Sequence, residues 1–372
     1  MSGLYIHIPF CESRCIYCGF YSTTLLNKRQ RYVDALCHEM TLRPHPTLST
    51  IYIGGGTPSQ LTPSQLNQLF TGISTNYPPL PANVEVTMEC NPDDITKEYA
   101  EVLSSLPINR VSMGVQTFSD KRLHFLHRRH TSSQAIQAVD ILREAGIQNI
   151  SIDLMFGFPD ETISEWESDI ESALSLNVEH ISAYSLMYEE GTPLYDMLKK
   201  GQISEIDEER YIIMYKTLVN HLESSGYRHY EISNFALEGY ESRHNSSYWN
   251  GTPYIGIGAA ACSYDILSRK NNIADIDKYM ESIEKGETAY EEETLSATDR
   301  YNDLITTALR THDGINLETL EREHGIEAKN YLLQNAQRHI DSGMLAMESG
   351  MLHLTLDGIM VSDNVMSDLI KI

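Results

Sequence analysis

The stretch "LYIHIPFCESRCIYCGF", residues 4–20, joins a short β-rich run to a loop that carries three cysteines. Cys11, Cys15 and Cys18 have the spacing C-x3-C-x2-C, and Phe20 stands where a fourth thiol would follow. Three thiolates on one loop suit a four-iron cluster with one open iron, which can bind a substrate or cofactor. The spacing favours such a cluster over free thiols and over a zinc site, whose fourth ligand would have to be His7 or a distant cysteine.

The first strand opens a regular alternation of β-rich runs and amphipathic helical segments between residues 4 and 187. The β-rich runs are "LYIHI", "TIYIGGG", "NVEVTME", "RVSMGVQ", "NISIDLMFG" and "HISAYSLM". Strands that alternate with helices predict βαβ units and a parallel sheet. Six units predict an α/β fold with a partial (β/α)6 TIM-like barrel. A doubly wound sheet has the same alternation, so the periodicity leaves closure of the sheet open.

Polar or glycine residues stand at the end of each predicted strand. Parallel barrels build their sites at the carboxyl ends of their strands, so we expect these residues to meet at one rim. Helix caps are the alternative explanation for any single position. The strand-end residues are His7, the run Gly54-Gly55-Gly56-Thr57, Glu89, Gln116, Asp153 and the pair Tyr184-Ser185.

Composition excludes several classes of protein. The formal charge of the 372 residues is −24, which would repel a phosphate backbone, so nucleic acid is not expected as a partner. No apolar run approaches the roughly 20 residues of a transmembrane helix. The N-terminus lacks the pattern of a signal peptide, and six cysteines with three on one loop do not form a secreted disulfide framework. We therefore expect a cytoplasmic protein.

The second half of the chain has a different pattern. A helix and one further strand are expected within 201–240, followed by an ordered loop rich in Gly, Ser, Asn and aromatic residues. Helical runs and a hairpin near the end predict a small C-terminal domain of winged-helix type, which shows no basic face for nucleic acid. The expected division is a core of residues 1–240, a connecting segment of 241–290 and a C-terminal domain of 291–372.

Several motifs together resemble one family. "CESRCIYC" is similar to C-x3-C-x-aromatic-C of the radical S-adenosylmethionine (SAM) superfamily. Further segments follow in the order of its coproporphyrinogen dehydrogenase branch and are most similar to the haem chaperone subgroup. These segments are "YIHIPFC", "YIGGGTPS", "MECNP", "GVQTF", "IDLMFGFP", "YEISNFA" and "RHNSSYWN". The resemblance covers nearly the whole chain and implies a radical SAM barrel.

The resemblance also implies cofactors and their contacts. It places a [4Fe–4S] cluster on Cys11, Cys15 and Cys18, with SAM on the open iron, where an electron from the cluster cleaves the sulfonium to a 5′-deoxyadenosyl radical. The protein's task is to hold and orient this cofactor. By resemblance, the SAM contacts are Tyr5, Tyr17, Gly55, Gly56, Thr57, Glu89, Gln116, Arg128 and Asp153.

Two functions remain within this branch. Coproporphyrinogen dehydrogenases carry a further Cys two residues after the third, where this chain has Phe20, and H-N-x-x-Y-W, here His244 to Trp249, marks the haem chaperones. The resemblance therefore implies a chaperone that binds haem, passes it to apo-haemoproteins and requires an electron donor. The predicted haem ligand is His244 or Cys262, the latter at a position where the family usually has His. The alternative for His244 is that it only ties the loop to the barrel by a hydrogen bond. A decarboxylating dehydrogenase is the alternative.

Overall fold

The structure is a computed structural model that describes residues 2–371. The predicted alternation is confirmed over the first half of the chain. The strands are β1 (Ser2–Ile8), β2 (Leu48–Gly55), β3 (Glu85–Cys90), β4 (Arg110–Gln116), β5 (Asn149–Phe156) and β6 (His180–Ser185). The helices are α1 (Arg29–Leu42), α2 (Pro63–Asn76), α3 (Lys97–Ser105), α4 (Asp120–Phe125), α5 (Ser132–Glu144) and α6 (Ile163–Ser175). Short 3₁₀ helices cover Leu26–Lys28, Pro58–Gln60 and Pro92–Asp94.

Local sequence explains where these helices begin. At the start of α2, α5 and α6 a threonine hydroxyl accepts a hydrogen bond from the backbone amide three residues later. The side chain of that later residue in turn accepts a hydrogen bond from the threonine amide. Such a capping box satisfies two amides that the helix itself leaves unpaired. The three pairs are Thr62 with Gln65, Thr131 with Gln134, and Thr162 with Glu165.

The parallel strands separate an apolar face from a polar face. In β3, for example, Val86 and Met88 belong to the main apolar core, whereas the alternate residues Glu85, Thr87 and Glu89 are polar. Successive side chains of a strand point to opposite faces, so the polar set lines the inner face of the curved sheet. This polar inner face is the surface on which the candidate site is built.

The middle of the chain extends the same sheet. Its elements are α7 (Pro193–Lys199), α8 (Glu208–Ser224), β7 (Arg228–Glu231), β8 (Asn234–Ala236), α9 (Arg243–Trp249), β9 (Tyr254–Ile257), β10 (Cys262–Tyr264), β11 (Ser268–Asn272), α10 (Ile276–Glu284) and β12 (Tyr290–Thr294). Two expectations were wrong in detail. The single strand expected before residue 240 is the antiparallel pair β7 and β8, and the expected loop contains α9, β9 and β10.

The large sheet has twelve strands in the order β12-β11-β10-β9-β1-β2-β3-β4-β5-β6-β8-β7. Strands β1 to β6 pair in parallel in chain order, and β9 adds a seventh parallel strand beside β1. Within residues 2–371 the outermost strands β7 and β12 do not pair with each other. The sheet is thus open, and the predicted partial barrel is confirmed.

The C-terminal segment packs around a core of its own. It comprises α11 (Ala297–Ala308), β13 (Ile315–Asn316), α12 (Leu317–His324), α13 (Ile326–Asp341), β14 (Leu345–Glu348), β15 (Met351–Leu354), α14 (Leu356–Ile359) and α15 (Ser362–Leu369). The strands form a three-stranded sheet, and its apolar core includes Tyr301, Ile305 and Leu332. Helices with a small antiparallel sheet match the predicted winged-helix-like class, while the boundaries at 240 and 290 stay predictions. No helix of the described residues is long and apolar enough to cross a membrane.

Candidate functional site

The three cysteines lie on an irregular loop that follows β1. Cys11, Cys15 and Cys18 are free thiols and partly exposed. The Cys18 amide donates to the Cys15 carbonyl at 3.3 Å, and the Cys11 amide donates to the Thr23 carbonyl at 2.9 Å, which fixes the loop against the chain that follows. Burial raises the pKa of Cys11 and of Cys18, and charge on Cys15 raises both further. The three sulfurs therefore share one small volume.

Two side chains from other parts of the chain donate to these sulfurs. The Thr57 hydroxyl lies 3.4 Å from the Cys11 sulfur, and an Arg128 guanidinium nitrogen lies 3.6 Å from the Cys15 sulfur. Donors and positive charge beside sulfur stabilise thiolates and tune iron–sulfur clusters. The surroundings of the loop thus suit anionic sulfur ligands.

Within the described residues the three cysteines do not form a preformed site for a single metal ion. Among residues 2–371, no three His, Cys, Asp or Glu side chains converge on one ion-sized position. In a four-iron cluster each thiolate binds a different iron, so the sulfur ligands lie farther apart than the ligands of one ion. The assignment of the cluster to these three cysteines remains a prediction that this geometry accommodates.

Two buried carboxylates lie on the inner face of the sheet, Glu89 on β3 and Asp153 on β5, with β4 between them. Glu89 accepts the Tyr52 hydroxyl at 2.8 Å and the Gly55 amide at 3.0 Å, and burial raises its pKa to about 7. Asp153 accepts the Ser112 hydroxyl at 3.5 Å, and burial raises its pKa to about 6. Bound ammonium or hydroxyl donors would favour the charged form of both groups.

The glycine turn at the end of β2 is required by packing within the protein. Gly55 has φ of +116°, and a Cβ atom there would lie 2.6 Å from the His7 ring. A Cβ atom on Gly56 would lie 2.7 Å from the carbonyl carbon of Pro9. Close approach of β1 therefore explains both glycines without a ligand, and their contact with SAM stays a prediction.

Gln116 and Arg128 meet near the end of β4. Gln116 has φ of +68°, a left-handed conformation that is uncommon for a residue other than glycine and often marks functional sites. The Arg128 guanidinium donates to the Gly114 carbonyl at 2.6 Å and to the Asn91 side chain, and its Nε is buried with no partner in the described chain. Arg128 is thus part of the rim. Asn91 was missed, although it directly follows β3.

Tyr5 and Tyr17 are held in different places, Tyr5 on β1 and Tyr17 within the cysteine loop itself. The Tyr5 hydroxyl donates to Nδ1 of His7 at 2.9 Å, and Nε2 of His7 donates to the Tyr21 carbonyl at 3.0 Å. Tyr17 packs on an apolar cluster that includes Leu126. The predicted SAM contacts thus come from neighbouring strands and the loops that follow them.

The H-N-x-x-Y-W motif forms a helix, where a loop was expected. The backbone amides of Arg243 and His244 donate to the Glu85 carboxylate, both at 2.9 Å. A carboxylate at a helix N-terminus satisfies unpaired amides and opposes the positive end of the helix dipole. This contact fixes α9 at the start of β3, away from the cysteine loop.

His244 is fully buried and engaged through both ring nitrogens. Its Nδ1 lies 2.8 Å from the Thr50 hydroxyl, and its Nε2 lies 2.8 Å from the Tyr248 hydroxyl. Burial lowers the pKa of His244 to about 3, so the ring is neutral. In this arrangement both ring nitrogens are hydrogen-bonded, which agrees with the alternative that His244 ties its segment to the barrel. A contact between His244 and haem stays a prediction.

A cavity of about 820 Å³ lies beside α9, between the edge strands β9–β11 and the helices α11 and α12. We call it the aromatic chamber; its lining includes Tyr248, Trp249, Tyr254, Tyr264, Arg269 and Arg300. The lining also carries four carboxylates, and three of them pair with Arg228 or Arg269: Glu241, Asp303 and Asp313. The aromatic faces suit a flat apolar ligand, and Arg300, which forms no ion pair within the described chain, can bind a carboxylate of that ligand. The chamber joins segments far apart in the chain, so sequence patterns did not reveal it.

The cysteine loop and the aromatic chamber lie at opposite ends of β1. Tyr254, which lines the chamber, pairs with Gly3 at the start of this strand, whereas Cys11 follows its end at Ile8. From Gly3 to Ile8 the strand rises about 17 Å, at about 3.3 Å per residue. The two candidate sites thus lie toward opposite ends of β1, and the side chains of His244 and Tyr52 connect Tyr248 of the chamber wall with Glu89 at the rim.

The two remaining predicted positions differ in their exposure. Phe20 extends from the cysteine loop with 72% of its surface exposed. Cys262 is an exposed thiol on β10, two residues before Tyr264 and therefore on the same side of that strand. The phenyl ring brings no ligand to the cluster region, whereas Cys262 stands near the chamber.

Comparison with known proteins agrees with this organisation. Residues 5–173 match the radical SAM superfamily, and residues 295–361 match the HemN C-terminal domain. The chain is 34% identical to the heme chaperone HemW of Lactococcus lactis over 365 residues, which span 98% of this chain and 96% of that protein. It is also 34% identical to the heme chaperone HemW of Bacillus subtilis over 371 residues, which span 98% of each. The chain belongs to the HemW family of the radical SAM superfamily.

A solved structure supports the same fold. Coproporphyrinogen III oxidase (HemN) from Escherichia coli, a radical SAM enzyme, superimposes with a TM-score of 0.86 over 99% of this chain and 90% of that chain, at 21% identity. This likeness shows the fold alone. Membership of the radical SAM superfamily implies a [4Fe–4S] cluster and SAM as cofactors, and the HemW family implies haem.

Proposed function

We propose that this protein is a haem chaperone that carries a [4Fe–4S] cluster and SAM at the rim and haem in the aromatic chamber. It passes haem to apo-haemoproteins and receives electrons from a separate donor. The HemW relatives named above are heme chaperones and align over nearly the whole chain. The alternative is a coproporphyrinogen dehydrogenase.

The separation of the two sites is the observation that carries this proposal. A dehydrogenase must hold its tetrapyrrole against the SAM site, since the radical acts on the substrate directly. Here Tyr254 of the aromatic chamber pairs with Gly3 near the start of β1, whereas the cysteine loop follows Ile8, five residues or about 17 Å along the strand. A tetrapyrrole in the chamber would thus lie toward the end of β1 opposite the cysteine loop, an arrangement that favours carriage over chemistry.

At the rim, the residues of this chain bind and orient. Cys11, Cys15 and Cys18 would hold the cluster, which supplies the electron that cleaves SAM. Glu89 and Asp153 offer carboxylates to the hydroxyls and ammonium group of SAM, and their burial excludes competing water. With Tyr5, Tyr17, Gly55, Gly56, Thr57, Gln116 and Arg128, these are the residues that we propose for SAM.

In the chamber, three kinds of group act on haem. Tyr254 meets Tyr248 edge-on with ring centroids 4.7 Å apart, which leaves a corner of aromatic surface for the apolar face of a porphyrin. The Arg310 guanidinium lies 4.7 Å from the Trp249 ring and holds that side chain from behind. Arg300, the arginine of the lining that forms no ion pair within the described residues, can pair with a propionate.

Anaerobic reconstitution followed by two parallel assays tests the function. The protein should bind haem stoichiometrically, release it to an apo-haemoprotein and leave coproporphyrinogen unchanged. Phe20→Cys is the matched variant, since it restores the thiol of the dehydrogenases without touching the chamber. Catalytic consumption of coproporphyrinogen by the wild type, or absence of haem binding, would contradict the proposal.

A further inference from the structure

The aromatic chamber contains a histidine that no sequence motif indicates. Of the residues that the structure describes, His324 is the histidine that lines this cavity, whereas His244 lies buried behind Tyr248. His324 is the last residue of α12, in the C-terminal segment, and stands on the wall opposite α9. An imidazole is thus present where a chamber ligand would meet it.

The His324 ring is available for coordination. It packs edge-on against Tyr301 with ring centroids 5.9 Å apart. Among residues 2–371, neither ring nitrogen of His324 has a hydrogen-bond partner, and its pKa responds only to burial and to nearby charges. Burial lowers the pKa of His324, so the ring is neutral near pH 7. A neutral imidazole with a free nitrogen is the commonest protein ligand for metals and a usual haem ligand.

The arginines that line the chamber differ in whether a carboxylate already pairs with them. Arg269 is paired with Asp303, and Arg228 lies 3.1 Å from Asp313. Arg300 has a different environment, because its guanidinium donates to the Leu295 carbonyl at 3.0 Å and forms no ion pair within the described chain. Arg300 therefore has donors to spare for a ligand carboxylate.

We infer that His324 is the iron ligand of haem in the aromatic chamber and that Arg300 pairs with a propionate. This inference rests on the proposed function and deepens it. Haem would then bridge the large sheet, through Tyr248 and Tyr254, and the C-terminal segment, through His324. His244 would act as a positioning residue that holds Tyr248 in the chamber wall.

Haem titration of the wild type and single variants tests the ligand. His324→Ala should shift the Soret band and weaken haem binding about 10-fold or more, the loss expected for one strong contact. Imidazole added to His324→Ala should restore the wild-type band. Arg300→Met should weaken binding and leave the band in place, because a propionate contact does not alter the iron.

Two controls make the result decisive. His38→Ala, an exposed histidine on α1 outside the chamber lining, should leave both band and affinity unchanged. His324→Cys should give a thiolate-type spectrum if position 324 faces the iron, and this variant serves if His324→Ala does not fold. An unchanged Soret band in both His324 variants, or the expected shift in His244→Ala or Cys262→Ala, overturns the inference.

The failure of this inference is distinguishable from failure of the proposed function. If wild-type protein binds and transfers haem while the His324 variants keep the wild-type spectrum, only the ligand assignment is wrong. If wild-type protein shows no haem binding at all, the chaperone function itself is wrong. Circular dichroism of each variant without haem and its iron content after reconstitution confirm that the fold is intact.

Discussion

The two ends of the large sheet are built in different ways. The rim is assembled from residues close to strand ends, such as Glu89, Gln116 and Asp153, and each is fixed by the strand that carries it. The aromatic chamber is assembled from α9, edge strands and the C-terminal helices, which are distant in the chain. The rim is therefore a property of the barrel, whereas the chamber depends on how the C-terminal segment packs against it.

The largest expected effect is loss of the cluster at the rim with the chamber unaffected. Cys11→Ala, Cys15→Ala and Cys18→Ala should each abolish the iron–sulfur absorption after reconstitution, because the loop offers three thiolates and no spare. The same variants should bind haem with wild-type affinity. Cys37→Ala, on the far side of α1, is the control. Full iron and sulfide in all three variants would break the assignment.

Variants of the proposed SAM contacts should weaken SAM binding at the rim and leave haem binding in the chamber unchanged. Asp153→Ala and Arg128→Ala should weaken SAM binding by about 10- to 150-fold, which corresponds to the roughly 1.5–3 kcal/mol of a hydrogen bond to a charged group. Equilibrium binding of SAM to the reconstituted protein measures this loss, and cluster content and haem affinity serve as controls. Unchanged SAM affinity in both variants would remove these residues from the site.

At the other end, His244 should matter for stability more than for iron. His244→Ala leaves the buried hydroxyls of Thr50 and Tyr248 without their partner, which should cost about 1–3 kcal/mol in the free energy of unfolding. Denaturant unfolding measures the difference, with His312→Ala as an exposed control. The Soret band of the haem complex should keep its position, and a shifted band with unchanged stability would reverse the assignment of roles.

The smallest effect is a pH dependence confined to the rim. The pKa values of Glu89 and Asp153 are raised to about 7 and about 6, so both carboxylates gain protons as pH falls from 8 to 5.5. In the proposed site SAM binds their charged forms, hence its affinity should rise with pH, by about 10-fold per unit between the two pKa values and by up to about 100-fold per unit below both.

Glu89→Gln isolates the upper part of this profile. The variant should bind SAM more weakly at pH 8 and should lose the dependence between pH 6 and 8, while haem affinity follows the same curve as in the wild type. Equal slopes for SAM in the wild type and in Glu89→Gln would exclude this carboxylate from the contact.

The contrast between the two ends also explains what the sequence could predict. Alternation of strands and helices predicts the sheet, and carboxyl ends of parallel strands meet at one edge, so the rim residues follow from local pattern. The contact of Asn91 with Arg128 could not be predicted, because an asparagine before a proline is also typical of an ordinary turn. The sequence did not reveal His324 as a candidate ligand, because nothing near it in the chain indicates such a role. Only the packing of distant segments places it in the same cavity lining as Tyr254 and Arg300.

His244 illustrates a limit of local pattern. An aromatic motif with one imidazole suits a ligand loop as well as a structural hydrogen bond, and the structure has the helix α9, whose first amides donate to Glu85 and which turns the ring inward onto Thr50. Sequence reports which groups are present, whereas burial decides which of them a ligand can reach. The contact between His244 and haem stays a prediction, and His324 is the candidate ligand that we infer from the chamber lining.

The separation of the two sites is tested most directly by hydrogen exchange, measured by mass spectrometry on the reconstituted protein with and without haem. Haem should slow exchange in the peptides that form the aromatic chamber, residues 243–257 and 300–324, and leave the cysteine loop at 11–20 and the strand end at 112–118 unchanged. Protection of the loop and strand end, with none in the chamber peptides, would place haem at the rim and contradict the account.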